Sequence, residues 1–77
     1  MKKYLNELMP EEACVIENVS AKPDMLRRFC DIGLIENTLV RCVGASPALD
    51  PKAYLIRDAV IAIRSEDCDK ILIRQVN

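Results

Sequence analysis

Five short runs rich in β-branched residues follow one another along the chain, and a single helix-like segment interrupts them. "ACVIENV" (13–19) and "NTLVRCVGAS" (37–46) read as strands, as do "KAYLIR" (52–57), "AVIAIR" (59–64) and "ILIRQV" (71–76). The third and fourth runs are joined at about Asp58, which is close enough for a hairpin. Short strands in a small chain predict a closed or nearly closed barrel, because closure removes vulnerable edges. The expected fold is mainly β with one short helix, a small SH3-like β-barrel of about five strands. An OB-like barrel is the competitor, but it usually carries its helix between the third and fourth strands rather than the first and second.

The helix is expected in "AKPDMLRRFCDIG" (21–33). Pro23 suits the first helical position, where its missing N–H costs nothing. Asp24 favours the positive end of the helix dipole. Leu26, Phe29 and Cys30 fall at i, i+3 and i+4 and define the expected apolar face. Gly33 is placed to end the helix with left-handed backbone. Arg27 and Arg28 flank the stripe. Before the first strand, "YLNEL" reads as a turn or an extended lead-in, and "MPEE" as a turn. "SPALDP" (46–51) is a proline-bounded loop, and Ser65 is expected to cap a single turn in "SEDCDK" with its hydroxyl.

Alternation then assigns faces. Val40, Ile61, Ile63, Ile71 and Ile73 are expected to face in. Leu39, Val43, Tyr54 and Leu72 are expected to face out or half out. A contiguous outward apolar group would mark a contact surface.

The 77 residues make one domain, residues 1–77, the expected count. The chain begins at Met1 without a tag and reads as a complete small protein. Its N-terminus lacks the apolar core of a signal peptide, and no apolar run approaches the ~20 residues of a membrane span, so a soluble cytoplasmic protein is expected. Eleven basic residues against twelve acidic ones leave a net charge of −1. Nucleic acid is disfavoured as a partner, since its binders usually carry a basic stripe.

The four cysteines, Cys14, Cys30, Cys42 and Cys68, are widely spaced, with no Cys-x-x-Cys pair and no histidine. They read as small buried hydrophobes rather than as a metal or disulfide set. No nucleophile elbow, phosphate loop or Walker lysine is present, so an enzyme is not expected. Isolated acids such as Asp31, Glu36, Asp50 and Asp58 serve as turn and cap residues in this reading. No cofactor and no specific metal site are expected, because Fe(II) sites commonly use His with carboxylate.

Taken in order, Leu5 and Leu8, Arg27-Arg28-Phe29, Asp31-Ile32-Gly33-Leu34, Thr38 and Val40, Pro47 with Asp50-Pro51, Ile63-Arg64, and Ile71 with Ile73 resemble the FeoA family over nearly the whole chain. These are small cytoplasmic accessory proteins of bacterial ferrous iron transport. The resemblance implies an SH3-like barrel and a partner, the membrane transporter FeoB, whose cytoplasmic part carries a GTP-binding domain. A similar domain ends many iron- and manganese-dependent repressors, so the alternative is a stand-alone regulatory or metal-sensing module. The family pattern has Gly where this chain has Glu11, Asn37, Leu49 and Asp58. Asn and Asp tolerate left-handed backbone; Leu49 implies a changed loop shape if positive φ is needed there. The expected contact residues are Arg27, Arg28, Leu39, Tyr54 and the loop Pro47, Ala48, Leu49, Asp50, Pro51.

Overall fold

A computed structural model describes residues 3–48 and 50–76. Its elements are β1 (Lys3–Tyr4), a 3-10 turn (Leu5–Glu7), β2 (Ala13–Val19), α1 (Pro23–Ile32), β3 (Leu39–Ala45), β4 (Lys52–Ile56), β5 (Ala59–Ile63), α2 (Ser65–Cys68) and β6 (Ile71–Val76). All five expected strands and the helix are present. The lead-in supplies both a turn and a sixth, two-residue strand.

The strands form one antiparallel sheet in the order β1-β6-β2-β3-β4-β5. It is SH3-like but not closed: β1 and β5 are its two edges. Leu5, Leu8, Cys14, Ile16, Phe29, Leu34, Val40, Cys42, Tyr54, Ile56, Ile63, Cys68, Ile71 and Ile73 pack as one core, so β2 to β6 all turn a face to the same interior.

Local sequence explains the main boundaries. Pro23 occupies the start of α1, and Gly33 ends it at φ 87°. The Leu34 N–H then donates to the Phe29 carbonyl at 2.8 Å, a Schellman-type closure that buries Leu34. The β4–β5 loop is Arg57-Asp58, with φ of 48° and 68°. Two positive φ values are the signature of a type I′ hairpin turn, whose twist matches the strands it joins. Glu11 and Asn37 also have positive φ, at 77° and 70°. Of the four positions where the family pattern has glycine and this chain does not, Glu11, Asn37 and Asp58 have left-handed backbone; Leu49 lies outside the described residues.

The expected face of α1 is corrected. Leu26 and Cys30 are exposed. The helix instead turns Met25, Phe29 and Ile32 to the core, at i, i+4 and i+7. Both triplets fit the helical period and share Phe29. The docking direction of the sheet selects between them.

Tyr54 is also corrected, being 1% exposed. It lies directly across from Cys42 on β3 and Ile61 on β5. Residues opposite each other in a ladder share a face, so an inward Ile61 requires an inward Tyr54. Its hydroxyl donates to the Leu5 carbonyl at 3.3 Å.

Candidate protein-docking surface

The outer face of β3, β4 and β5 follows from the same register. Along β3, Leu39, Arg41 and Val43 point out while Val40 and Cys42 point in. Arg41 pairs with Leu55 and Leu55 with Val60, so those three stand side by side on the outer face. Leu39 is 62% and Val60 64% exposed, the two most exposed large apolar residues described.

A groove of about 530 Å³ runs beside them, lined by Ile35, Leu39, Arg41, Leu55, Arg57 and Asp58 among others. A second groove, about 240 Å³, lies along α1 and includes Val19, Leu26, Cys30 and Leu34. The two share Ile35 and Glu36, so one surface continues from the exposed side of α1 to the outer face of the sheet. The larger groove's lining sets the apolar Ile35, Leu39 and Leu55 among two arginines, Arg41 and Arg57, and two acids, Glu36 and Asp58. Arg41 is held there by donating to the Glu11 carbonyl at 3.2 Å.

The expected contact residues separate into distinct places. Leu39 lines the larger groove. Arg27 and Arg28 are exposed on α1 and line a different hollow with Pro23, Asp24 and Asp31. Among the described residues neither arginine is in an ion pair; the one found joins Arg74 to Glu17 at 3.3 Å. Pro47 and Ala48 are exposed, and Pro51 is half-buried. Tyr54 is in the core.

Asp50 has a local task. Its carboxylate accepts the Ser65 N–H at 2.9 Å and the Ser65 hydroxyl at 3.3 Å. The expected cap is thus corrected: Ser65 opens α2, and the capping oxygens come from the proline loop. Ser46 ties the same loop from the other side, its hydroxyl donating to the Asp50 carbonyl at 2.9 Å and accepting the Asp50 N–H at 3.2 Å. An acid two strands away in the chain carries no local pattern that announces such a partner.

Ile35, Arg41, Leu55, Arg57 and Val60 belong to the surface and were absent from the expected contacts. Alternation could have found Val60, since an inward Ile61 sends it out. Arg57 needed the turn geometry.

The interior thiols are not poised for chemistry. Burial pushes Cys14 up to about 12 and Cys68 up to about 11, and it also raises Cys42. A thiolate is the nucleophile and the metal ligand, and these stay protonated near neutral pH. Cys68 donates to the Arg64 carbonyl at 3.4 Å. Cys30 is exposed, against the expectation of a buried thiol. Among the described residues no three His, Cys, Asp or Glu side chains gather as a metal cluster, and no helix is long and apolar enough to cross a membrane.

A family model described as FeoA domain matches residues 3–75. Among solved structures, the FeoA protein from Chlorobium tepidum is 21% identical with a TM-score of 0.89, over 97% of this chain and 71% of that one. FeoA from Stenotrophomonas maltophilia, solved with zinc and described as an SH3 domain protein, is 20% identical with a TM-score of 0.75, over 94% and 89%. A manganese-dependent transcriptional repressor is 20% identical with a TM-score of 0.86, over 97% of this chain and 41% of that one. At these identities the likeness shows the shared fold. No curated protein sequence matches the chain.

Proposed function

The chain belongs to the FeoA domain family, and on that premise we propose that it is a cytoplasmic, non-enzymatic accessory protein of ferrous iron transport. It docks on the cytoplasmic part of the transporter FeoB and modulates its GTP-dependent activity or assembly. The observation that carries this reading is the exposed Leu39, set beside Leu55 and Ile35 in a groove that Arg41, Arg57, Glu36 and Asp58 also line. Exposed apolar residues set among arginines and other polar groups suit a protein contact, where Arg is enriched and the surround is polar. Arg27 and Arg28 supply a second, basic contact on α1, where their planar forks suit carboxylates. The loop from Pro47 to Pro51 acts less directly, by holding α2.

Calorimetric titration with the cytoplasmic part of FeoB tests the proposal. Binding is expected, weakened at least about tenfold by Leu39→Asp, as for loss of a central apolar anchor. Absence of heat and of any perturbation at high micromolar concentration, with the protein folded, would overturn it.

Likeness to the repressor supports a second reading, a stand-alone regulatory or metal-sensing module. Non-denaturing mass spectrometry separates the two. A stoichiometric divalent metal that survives dialysis favours the sensor, and a metal-free chain favours the docking module.

A further inference from the structure

The two edges of the sheet are unlike. β1 is two residues long, and its Lys3 ammonium donates to Gln75 at 2.6 Å on the neighbouring strand. β5 is five residues, Ala59-Val60-Ile61-Ala62-Ile63, with no charge, proline or bulge. Among the described residues it pairs with β4 and no other strand. Protein edges are normally blunted by one of those devices, and an unblunted apolar edge is a template for another strand.

The hairpin fixes which groups point out. Ile56 and Ala59 flank the two-residue turn and form a hydrogen-bonded pair, so Tyr54 with Ile61 and Lys52 with Ile63 are the next bonded pairs. Val60 and Ala62 therefore turn their N–H and C=O groups away from β4. No other backbone bond in the described residues engages them.

We infer that β5 pairs antiparallel with β5 of a second copy, about a two-fold axis at Ile61. Val60 then exchanges both backbone bonds with Ala62 of the second copy, and the reciprocal pair does the same. Ile61 meets its own equivalent. Just beyond the strand ends, Asp58 stands opposite Arg64 of the second copy, twice. Both residues are exposed, and neither is in an ion pair among the described residues. Charge selects this register. Sliding two residues one way sets Asp58 against Glu66, and the other way sets it against Ala62. A slide of one residue takes the outward groups out of alignment. The same strand order that leaves the sheet open thus supplies a self-complementary edge, and isologous pairing is the commonest route to a dimer.

Sedimentation velocity on the full chain, up to about 1 mM so that even weak association registers, tests this without any transporter. A monomer–dimer equilibrium is expected, with amide exchange at Val60 and Ala62 slowing as concentration rises. Arg64→Glu sets like charges opposite each other at both ends and weakens the dimer about tenfold. Combining it with Asp58→Lys reverses both charges and restores association. Val60→Pro removes an outward N–H while sparing the bonds to β4, and it abolishes the dimer; circular dichroism confirms that each variant is folded. A chain that stays monomeric, or a dimer indifferent to both Arg64→Glu and Val60→Pro, overturns the inference. So does protection of Val60 and Ala62 only when the transporter domain is added, which assigns the edge to a partner's strand.

Discussion

The side chain of Arg57 lies across Gly33. A Cβ on Gly33 would stand 2.5 Å from Arg57 Cδ and 2.8 Å from its Nε. The end of α1 and the β4–β5 turn therefore meet so closely that a Cβ here would require the Arg57 side chain to move. Gly33 is favoured twice, by its φ of 87° and by this approach of the Arg57 side chain.

Gly33→Ala is accordingly expected to cost about 2 kcal/mol, the upper range for a non-glycine in left-handed backbone. For a domain of this size that lowers Tm by roughly 8–16 °C. In an Arg57→Ala background the same change should cost less, because the clash is gone and only the backbone strain remains. Thermal unfolding of the two single variants and the double variant measures the coupling. Strict additivity would show that the Arg57 stem yields freely.

Asp50→Ala should destabilise by about 1 kcal/mol, as for loss of a helix cap. Ser65→Ala should cost less, because the Ser65 N–H still donates to Asp50. Denaturant unfolding ranks the two. If Asp50→Ala is silent in stability yet weakens transporter binding, the loop is a contact element rather than a brace.

Tyr54→Phe keeps the ring and removes the bond to Leu5, so about 1 kcal/mol is expected. Tyr54→Ala opens a cavity worth roughly 3–5 kcal/mol, much of the total stability of a small domain. Circular dichroism should show Tyr54→Phe folded, and titration should show its affinity for the proposed transporter partner unchanged, since a core hydroxyl touches no partner.

The thiols separate by burial. Cys30 should react at once with a thiol reagent, while Cys14, Cys42 and Cys68 react only as the protein opens. Their folded pKa values are raised above the ordinary 9.0, to about 12 for Cys14 and about 11 for Cys68. Such groups favour the folded state fully below pH 9, and their contribution is lost as pH rises from 9 through 11–12. Unfolding midpoints measured from pH 8 to 12 should therefore fall above pH 9.

Glu12 has the opposite sign. Its carboxylate accepts the Met9 N–H at 2.8 Å and the Gln75 side-chain amide at 2.7 Å, and these bonds lower its pKa below 4.5. Its stabilisation is present above pH 4.5 and fades as pH falls through the lowered value. Glu12→Gln should flatten this acid limb of the stability profile, measured by denaturant unfolding from pH 6 to 3.

The elements themselves were legible because their signals are local. Proline at the start of α1, glycine at its end and alternation along β3 act through the backbone within a few residues. Tolerance of left-handed backbone at Asn37 and Asp58 was legible too, from the chemistry of Asn and Asp at places where the family pattern has glycine; that Glu11 adopts it was not. The surface was legible only in part. Leu39 was found by alternation, whereas Tyr54 was misplaced because β4 was given a face without reference to its partners.

The sequence by itself determined where five of the strands and α1 lie, to within one or two residues, since those limits depend on φ preferences, missing donors and side-chain period; the two-residue β1 was not separable from its lead-in. Only the tertiary structure decided which side of α1 is buried, that Tyr54 lies inside, that Asp50 caps α2 and that the sheet stays open at β5. Each of these depends on what a distant segment places alongside. Two helix faces sharing Phe29 satisfy the same period, and the packing partner alone, through the apolar area it can cover, separates them.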